Sequence, residues 1–245
     1  NMIRLSVVLP IYNEEEALPA TLHTLSRALE EKIPGEWEIV AVNDGSSDGS
    51  LLILQRCASE IPSLKVVSYK KNRGKGGALK EGMCRAEGRF VLFTDCDLAY
   101  GVEEIFVFLS AFETEGIQLI VGSRSLSDDG YTGYSALRRM MSKVYFRVVK
   151  TVAGIPFSDS QCGIKGFEQS CAFKLFSGLE TYGFAFDLEI LLKATSRQLS
   201  YREMPVKVLH HGKSSVHPAK DAFQMLRDLR KIKKRMNEEK KPAQA

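Results

Sequence analysis

Two carboxylates one residue apart, in Asp95-Cys96-Asp97, follow directly on the apolar run Phe90-Val91-Leu92-Phe93-Thr94. A strand that ends in Asp-x-Asp presents hard oxygen ligands at the rim of a sheet, where a divalent cation can bridge protein and diphosphate. Alone, the tripeptide also reads as turn residues or a helix cap. Three further polar clusters keep it company. Asn13-Glu14-Glu15-Glu16 follows the run from Leu5 through Pro10 to Tyr12, and Asn43-Asp44-Gly45-Ser46-Ser47-Asp48-Gly49-Ser50 follows Trp37 to Val42. Asn72-Arg73-Gly74-Lys75-Gly76-Gly77 follows Lys65 to Ser68 and joins cations to glycines, the composition of a loop where backbone approaches an anion closely.

Each cluster needs an element to carry it. The runs before the clusters are short and rich in β-branched residues, whereas Leu18, Leu22, Leu25 and Leu29, and then Leu51, Leu52 and Leu54, recur at helical spacing. Strands alternating with helices imply a parallel, right-handed α/β sheet whose ligand lies beyond the carboxyl ends of the strands. All four clusters then fall on one rim. The apolar run Leu119 to Gly122 brings Arg124 to the same edge, although a single Arg in such a place is also an ordinary surface cation.

Together, Val8-Leu9-Pro10-Ile11-Tyr12-Asn13-Glu14, Val42-Asn43-Asp44-Gly45-Ser46-Ser47-Asp48-Gly49, Asn72-Arg73-Gly74-Lys75-Gly76 and Asp95-Cys96-Asp97 resemble the inverting, metal-dependent glycosyltransferases of family 2, which have the GT-A fold. Val121-Gly122-Ser123-Arg124 and Asp159-Ser160-Gln161-Cys162-Gly163-Ile164-Lys165-Gly166-Phe167 are similar to the branch acting on polyprenyl phosphates. Glu203-Met204-Pro205-Val206 and Gly212-Lys213-Ser214 are most similar to dolichyl-phosphate glucosyltransferases, with dolichyl-phosphate mannose synthases next. The resemblance covers about residues 3 to 232. It implies a Rossmann-like, mainly parallel sheet flanked by helices, an amphipathic helix near 135–152 and a basic C-terminal helix. It also implies a nucleoside held by Pro10, Tyr12, Glu14 and Asp44, with Lys75 and Asp95 on the nucleotide sugar. Mg²⁺ or Mn²⁺ would sit on Asp97 with Asp95 in support, and Arg124 and Asp159 would join Asp97 in catalysis. Arg138, Arg139, Gln161 and Lys213 would meet the acceptor phosphate.

The chemistry follows from the reactants. When a glycosyl group is transferred with inversion, negative charge develops on the departing diphosphate, and a divalent cation neutralises it. A phosphomonoester acceptor, with its second ionisation near pKa 6, is already an anion at neutral pH. Such a site needs cations that position two phosphates more than it needs a base. Tyr12 offers a stacking face, and the carboxylates accept from imide or ribose donors. Glu14 is alternatively a first-turn carboxylate of its own helix, and Asp48 is a helix cap. Mannose synthases of the group usually place a Gln two residues beyond the second Asp, where this chain has Ala99. A third metal ligand is therefore in doubt and the favoured donor is UDP-glucose. GDP-mannose, or transfer to a soluble or polysaccharide acceptor, is the alternative.

Within the 245 residues no Pro/Gly/Ser-rich linker or repeat divides the chain. One domain is expected, with a nucleotide-sugar half (about 3–100), an acceptor half (about 101–218) and a C-terminal helix (about 219–245). No stretch approaches the roughly 20 apolar residues that cross a bilayer, and the first residues already read as strand rather than signal peptide. The expected location is cytoplasmic, peripheral to the cytoplasmic face of a membrane. Five cysteines without a CxxC pair argue against disulfides and zinc, and His210, His211 and His217 lack a helical pair or a nearby Cys.

Formal net charge is +4, yet Lys220 to Lys241 alone carries nine Lys/Arg against four Asp/Glu. Such a helix is either simply solvated or drawn to an anionic membrane surface, where each cation contributes about 1 kcal/mol. Nucleic acid is not an expected partner, because no aromatic platform accompanies the run. Ser135 to Val152 interleaves Leu137, Met140, Met141, Val144 and Phe146 with Arg138, Arg139, Lys143 and Arg147. That pattern suits a helix packed on the sheet, one at a partner chain, or one lying in a membrane interface. A nicotinamide dehydrogenase is excluded, since Pro10 to Glu16 contains no glycine. A nucleotidyltransferase would place a Gly-rich basic loop there. The processive polymerases usually carry Gln-x-x-Arg-Trp, and the single tryptophan here is Trp37.

Overall fold

The computed structural model describes residues 2–130, 147, 149–183, 185–209 and 218–239. The nucleotide-side elements are β1 (Leu5–Ile11), α1 (Leu18–Lys32), β2 (Trp37–Asp44), α2 (Ser50–Glu60), β3 (Leu64–Tyr69), α3 (Lys75–Met83) and β4 (Phe90–Phe93). They are followed by α4 (Glu103–Glu115), β5 (Leu119–Ser123), a 3₁₀ turn (Arg124–Leu126), β6 (Lys165–Glu168), α5 (Gln169–Ser177), α6 (Phe186–Ser196), β7 (Tyr201–Pro205) and α7 (Pro218–Glu239).

The seven strands form one sheet in the order β3-β2-β1-β4-β6-β5-β7. Every pairing is parallel except those of β6, which runs antiparallel to both β4 and β5. The strand order reverses where β1 meets β4, so a crevice opens there beyond the carboxyl ends. The residues after β1 and after β4 flank it.

All eight residues of β2 are buried, as a parallel strand covered on both faces requires. Along β1, Leu5, Val7, Leu9 and Ile11 face a core formed with α1, α2 and α4, while Val8 faces a second core formed with α3, α5 and α6. The first core receives Leu18, Leu22, Leu25 and Leu29 of α1, the spacing read from the sequence. The second is aromatic, with the Phe93 ring against those of Phe167, Phe176 and Phe186, and Phe167 against Phe176.

Helix α3 opens on Lys75-Gly76-Gly77, a poor start by helix propensity. Close packing explains it. A Cβ on Gly76 would lie 2.7 Å from the Cβ of Phe186 and 2.8 and 2.9 Å from the carbonyl oxygens of Thr181 and Tyr182. Only glycine allows the Gly76 amide to donate to the Tyr182 carbonyl at 2.9 Å. The 180–182 loop is itself pinned: the Glu189 carboxylate accepts from the amides of Glu180 (3.1 Å) and Thr181 (2.9 Å) and from the Lys193 ammonium (2.7 Å).

Helix α7 docks through Leu229 and Ile232, and its basic residues divide into two sets. Arg235 donates to Glu180 (2.7 Å), Thr181 (2.8 Å) and Glu189 (3.3 Å), and Lys233 donates to the Val152 carbonyl (2.6 Å). Arg227, Arg230, Lys231 and Lys234 stay exposed. A run that reads as uniform in the sequence is therefore part clasp, part open surface. Of the expected helix near 135–152, residues 135–146 and 148 lie outside the described residues. Its end is helical through Ala153, with Val149 and Ala153 buried and Arg147, Lys150 and Val152 exposed.

The Gly76 contacts give a test of how the loop holds α3. An open helical glycine replaced by alanine gains about 1 kcal/mol. Here the added methyl meets two clamped carbonyl oxygens and the Cβ of Phe186, so Gly76→Ala should instead lose about 1–3 kcal/mol, as overpacking does. Urea unfolding measures the sign directly.

Candidate active site

Beyond Phe93 the chain folds into a tight turn. The Thr94 amide still reaches the Val8 carbonyl (3.3 Å), then Leu98 donates to the Asp95 carbonyl (3.0 Å) and Gly101 to that of Leu98 (2.8 Å). Leu98 takes a left-handed φ of 49°, unusual for a branched side chain and a mark of a backbone held by its surroundings. Helix α1 supports the turn through the Thr21 hydroxyl, which donates to the Cys96 carbonyl at 2.7 Å. The result presents Asp95 and Asp97, both partly exposed, toward the crevice.

Burial, and after it the negative charge of Asp95, push the Asp97 carboxyl above its ordinary value. One Asp97 oxygen accepts from the Ala99 amide (3.1 Å). Asp95 pairs with the Lys75 ammonium, and its carboxylate fills the space a side chain at Gly163 would need. Burial, with Glu14 and Asp97 nearby, drives the Cys96 thiol up to about 12, so it stays protonated and the turn offers only oxygen ligands. Two crowded carboxylates with hard oxygens fit Mg²⁺ or Mn²⁺. Among the described residues no third His, Cys, Asp or Glu joins them. Ala99, buried beside the turn, contributes no ligand atom.

Across the crevice, the loops after β1 and β2 are stitched together. Asn13, at a left-handed φ of 56°, accepts from the Ser47 amide (2.9 Å) and donates its own amide to the Ser46 hydroxyl (3.0 Å). The Glu14 amide donates to the Ser50 hydroxyl (2.9 Å), and the Asp48 carboxylate takes the amides of Ser50 (3.0 Å) and Glu15 (3.1 Å). Asp48 is thus a structural residue, as expected. This stitching sets Pro10 and the exposed Tyr12 at the end of β1 beside Asp44 at the end of β2. Asp44 is nearly buried and accepts from the Tyr69 hydroxyl and the Arg73 amide, each at 2.7 Å. Glu14 sits in the turn before α1, where its charge acts on Cys96.

The third group gathers at β5 and the loop into β6. Asp159 has no exposed surface, and its carboxylate accepts from Arg124 three times: from Nε (2.7 Å), Nη2 (2.9 Å) and the backbone amide (3.1 Å). It also takes the Gln161 amide (3.2 Å). Asp159, expected from the resemblance to join Asp97 in catalysis, faces inward and orients Arg124. Burial alone would push the Asp159 carboxyl up; the Arg124 guanidinium outweighs it and holds the group below the ordinary range.

Sequence reasoning missed the pair Lys165 and Asp187. Lys165 has no exposed surface and donates to Asp187 (2.6 Å) and to the Cys162 carbonyl (2.7 Å), with the Phe93 ring 5.6 Å away. Asp187, in the first turn of α6, acts on Lys75 as well. Burial pulls the Lys75 ammonium down, but Asp95 and Asp187 outweigh it and hold it above its ordinary value. The one signal in the sequence was a lysine inside Cys162-Gly163-Ile164-Lys165-Gly166-Phe167, which demands a buried partner without naming it. Arg138, Arg139 and Lys213, with His210, His211 and His217, lie outside the described residues.

Residues 6–176 match the family model "Glycosyl transferase family 2", and the chain belongs to that family: it is a glycosyltransferase. The dolichyl-phosphate beta-glucosyltransferase of Saccharomyces cerevisiae is 31% identical over 244 residues, covering 93% of this chain and 73% of the relative. The enzyme of that name from Drosophila melanogaster is 33% identical over 93% of this chain and 73% of its own length, and the one from Homo sapiens 30% over 92% and 74%. Among solved structures, the Mycobacterium tuberculosis glucosyl-3-phosphoglycerate synthase complexed with Mn²⁺, UDP and glucosyl-3-phosphoglycerate superposes with a TM-score of 0.66 at 20% identity, over 94% of this chain and 78% of that one. The mannosyl-3-phosphoglycerate synthase of Rubrobacter xylanophilus gives 0.63 at 20%, over 99% and 79%. The fold is that of the GT-A glycosyltransferases.

Removing Arg124 strands a buried carboxylate, which typically costs about 3–5 kcal/mol. Arg124→Ala should lose stability of that order near neutral pH in urea unfolding. The sign with pH follows from the depressed carboxyl. The pair's contribution is fully present above the unfolded value of about 3.9 and is lost as pH falls through the lower native one. The gap between wild type and variant should accordingly shrink on acidification, and a gap that widened would contradict the pairing.

Proposed function

We propose that this chain transfers glucose from UDP-glucose to a polyprenyl monophosphate of the dolichyl class, with inversion, aided by Mg²⁺ or Mn²⁺. The observation that carries the reading is one rim where a metal-type carboxylate turn lies among cations, Lys75 and Arg124, each oriented by a carboxylate of its own. The relatives named for glucose and dolichyl phosphate, and the neighbour complexed with UDP and Mn²⁺, support the choice of substrates.

On this reading Asp97, with Asp95, holds the cation, which supplies Lewis-acid neutralisation of the diphosphate leaving group. Pro10, Tyr12, Glu14 and Asp44 hold the nucleoside. Lys75, at the positive end of α3, draws the diphosphate into the crevice. Arg124, whose fork is fixed by Asp159, positions an anionic oxygen near the sugar. An oxygen of the acceptor phosphate attacks the anomeric carbon, that C–O bond forms, and the bond to the β-phosphate oxygen breaks to release UDP. The acceptor arrives ionised, so no side chain need remove a proton. Arg138, Arg139, Gln161 and Lys213 complete the acceptor side, within the single-domain division into nucleotide half, acceptor half and basic helix.

The acceptor is a lipid, and the reaction is proposed to take place at the cytoplasmic face of a membrane. Among the described residues no helix is long and apolar enough to cross a bilayer. Contact is assigned to the exposed cations of α7, Arg227, Arg230, Lys231 and Lys234, because Lys233 and Arg235 are engaged internally.

Asp97→Asn keeps the shape and removes the charge, so glucosyl transfer to a short polyprenyl phosphate should fall at least about a hundredfold. Wild-type rates from this variant at saturating Mg²⁺ would defeat the metal assignment. Activity with GDP-mannose alone, or only with a soluble alcohol, would redirect the substrate assignment.

Replacing Arg227, Arg230, Lys231 and Lys234 together by Gln should weaken sedimentation with anionic vesicles while leaving donor hydrolysis in solution unchanged. Wild-type binding should also decline from low salt to physiological salt, where the Debye length is about 8 Å. Salt-independent binding would remove the basic face from the reading.

A further inference from the structure

Asp44 ends β2 directly beside Tyr69, which ends β3: the two are register partners in neighbouring parallel strands. Their side chains share a face, so the phenol reaches the carboxylate without leaving the strand. Both hydrogen bonds that Asp44 accepts, from the Tyr69 hydroxyl and the Arg73 amide, fall on the same oxygen, Oδ1, each at 2.7 Å. A carboxylate oxygen has two lone-pair sites, so Oδ1 is saturated. Oδ2 is engaged by no other group among the described residues.

The lock is rigid. The Arg73 guanidinium lies 4.4 Å over the centre of the Tyr69 ring and is tied to Glu81 at 2.8 Å, which fixes the ring from its face. Burial, and then the Asp44 hydrogen bond, hold the Tyr69 hydroxyl far above its ordinary value. The phenol is therefore a donor at neutral pH.

A carboxylate with one open oxygen is a different receptor from one with two. Uracil presents a single imide N–H between two carbonyls, and one acceptor satisfies it. Guanine presents two donors side by side, N1–H and the exocyclic amine, which suit both oxygens of a carboxylate. With Oδ1 filled, the second guanine donor would face an occupied acceptor and remain unpaired, which costs more than a hydrogen bond gains. Adenine would turn a ring-nitrogen lone pair toward the carboxylate.

We propose that Tyr69 sets the nucleobase specificity of the donor site: its hydroxyl, with the Arg73 amide, fills one oxygen of Asp44 and leaves a single acceptor suited to the imide of a uridine nucleotide. The proposal rests on the reading of Asp44 as a nucleobase contact. Tyr69 acts through Asp44 and is a positioning residue.

The experiment is calorimetric titration of the full chain with UDP and with GDP in the presence of Mn²⁺, for wild type, Tyr69→Phe and Asp44→Asn. Wild type should bind UDP more tightly. Tyr69→Phe reopens one site on Oδ1, so the preference for UDP over GDP should narrow by about 5- to 10-fold, the size of one hydrogen bond, chiefly through tighter GDP binding. A purely structural role would weaken both nucleotides together and leave their ratio unchanged, and that result would overturn the proposal. Tyr69→Leu removes the same donor and takes over the comparison should the Phe variant fail to fold. Asp44→Asn keeps the two failures apart. If it leaves UDP affinity intact, the nucleobase contact itself is wrong; if it weakens UDP while Tyr69→Phe leaves the ratio unmoved, only the Tyr69 lock fails. Tighter GDP than UDP binding in the wild type would overturn the lock and the uridine donor at once.

Discussion

Carboxylates crowded at the end of a buried strand repel one another, and the rim of this sheet is organised around compensating them. Asp95 is met by Lys75, Asp159 by Arg124 and Asp187 by Lys165. Each pair joins residues from different elements, so the electrostatics also fix how those elements sit. Asp97 has no ion pair of its own among the described residues: burial and Asp95 raise its carboxyl, and the Ala99 amide and the nearby Lys75 charge offset this only in part. The place where compensation stops is the place where a divalent cation would complete it. Charge accounting and the Asp-x-Asp pattern both support the proposed metal position.

The same pairs explain why small residues recur around the site. Gly163 leaves room for the Asp95 carboxylate, and Gly76 lets the start of α3 lie against the backbone of the 181–182 loop. Lys75 is the first residue of that helix, so its ammonium is positioned by how closely the helix seats. The loop is in turn gripped by Glu189, and Glu189 by Arg235 of α7. A continuous set of contacts therefore runs from the basic C-terminal helix to the cation beside Asp95. Its links are hydrogen bonds and close backbone contacts, which tolerate little displacement.

Much of the first half was legible in the sequence because strand and turn occur there in tandem. Each strand is a run rich in apolar residues, and each is followed by polar residues that cannot continue it, after Ile11, Asp44, Tyr69 and Phe93. The second half was less legible for physical reasons. β6 is four residues long and contains a fully buried lysine, and its antiparallel direction depends on a connection of some forty residues rather than on any local preference. Asp159 lies in a loop, where carboxylates are ordinarily exposed, and only the fold of Arg124 over it makes it interior. The Lys165 and Asp187 partners are separated by 22 residues and an intervening helix, so no spacing rule connects them. Tyr69 was passed over because a tyrosine closing a strand is unremarkable until the neighbouring strand sets Asp44 at its side.

A division of labour among carboxylates follows from these placements. Asp48 and Glu189 accept backbone amides and shape loops; Asp159 and Asp187 hold cations in place. Asp44 is spent half on structure, through Oδ1, and retains half for recognition. Asp97 accepts from the Ala99 amide on one oxygen and, like Asp44, keeps the other for a further partner while standing in a partly desolvated setting. Desolvation strengthens whatever charge–charge interaction a carboxylate eventually makes, so the oxygen left open is also the one where an arriving cation gains most. The acidic residues on and around the rim are then not a generic negative patch. Their roles are separated by what each already touches, which supports the proposal that the metal falls to Asp97.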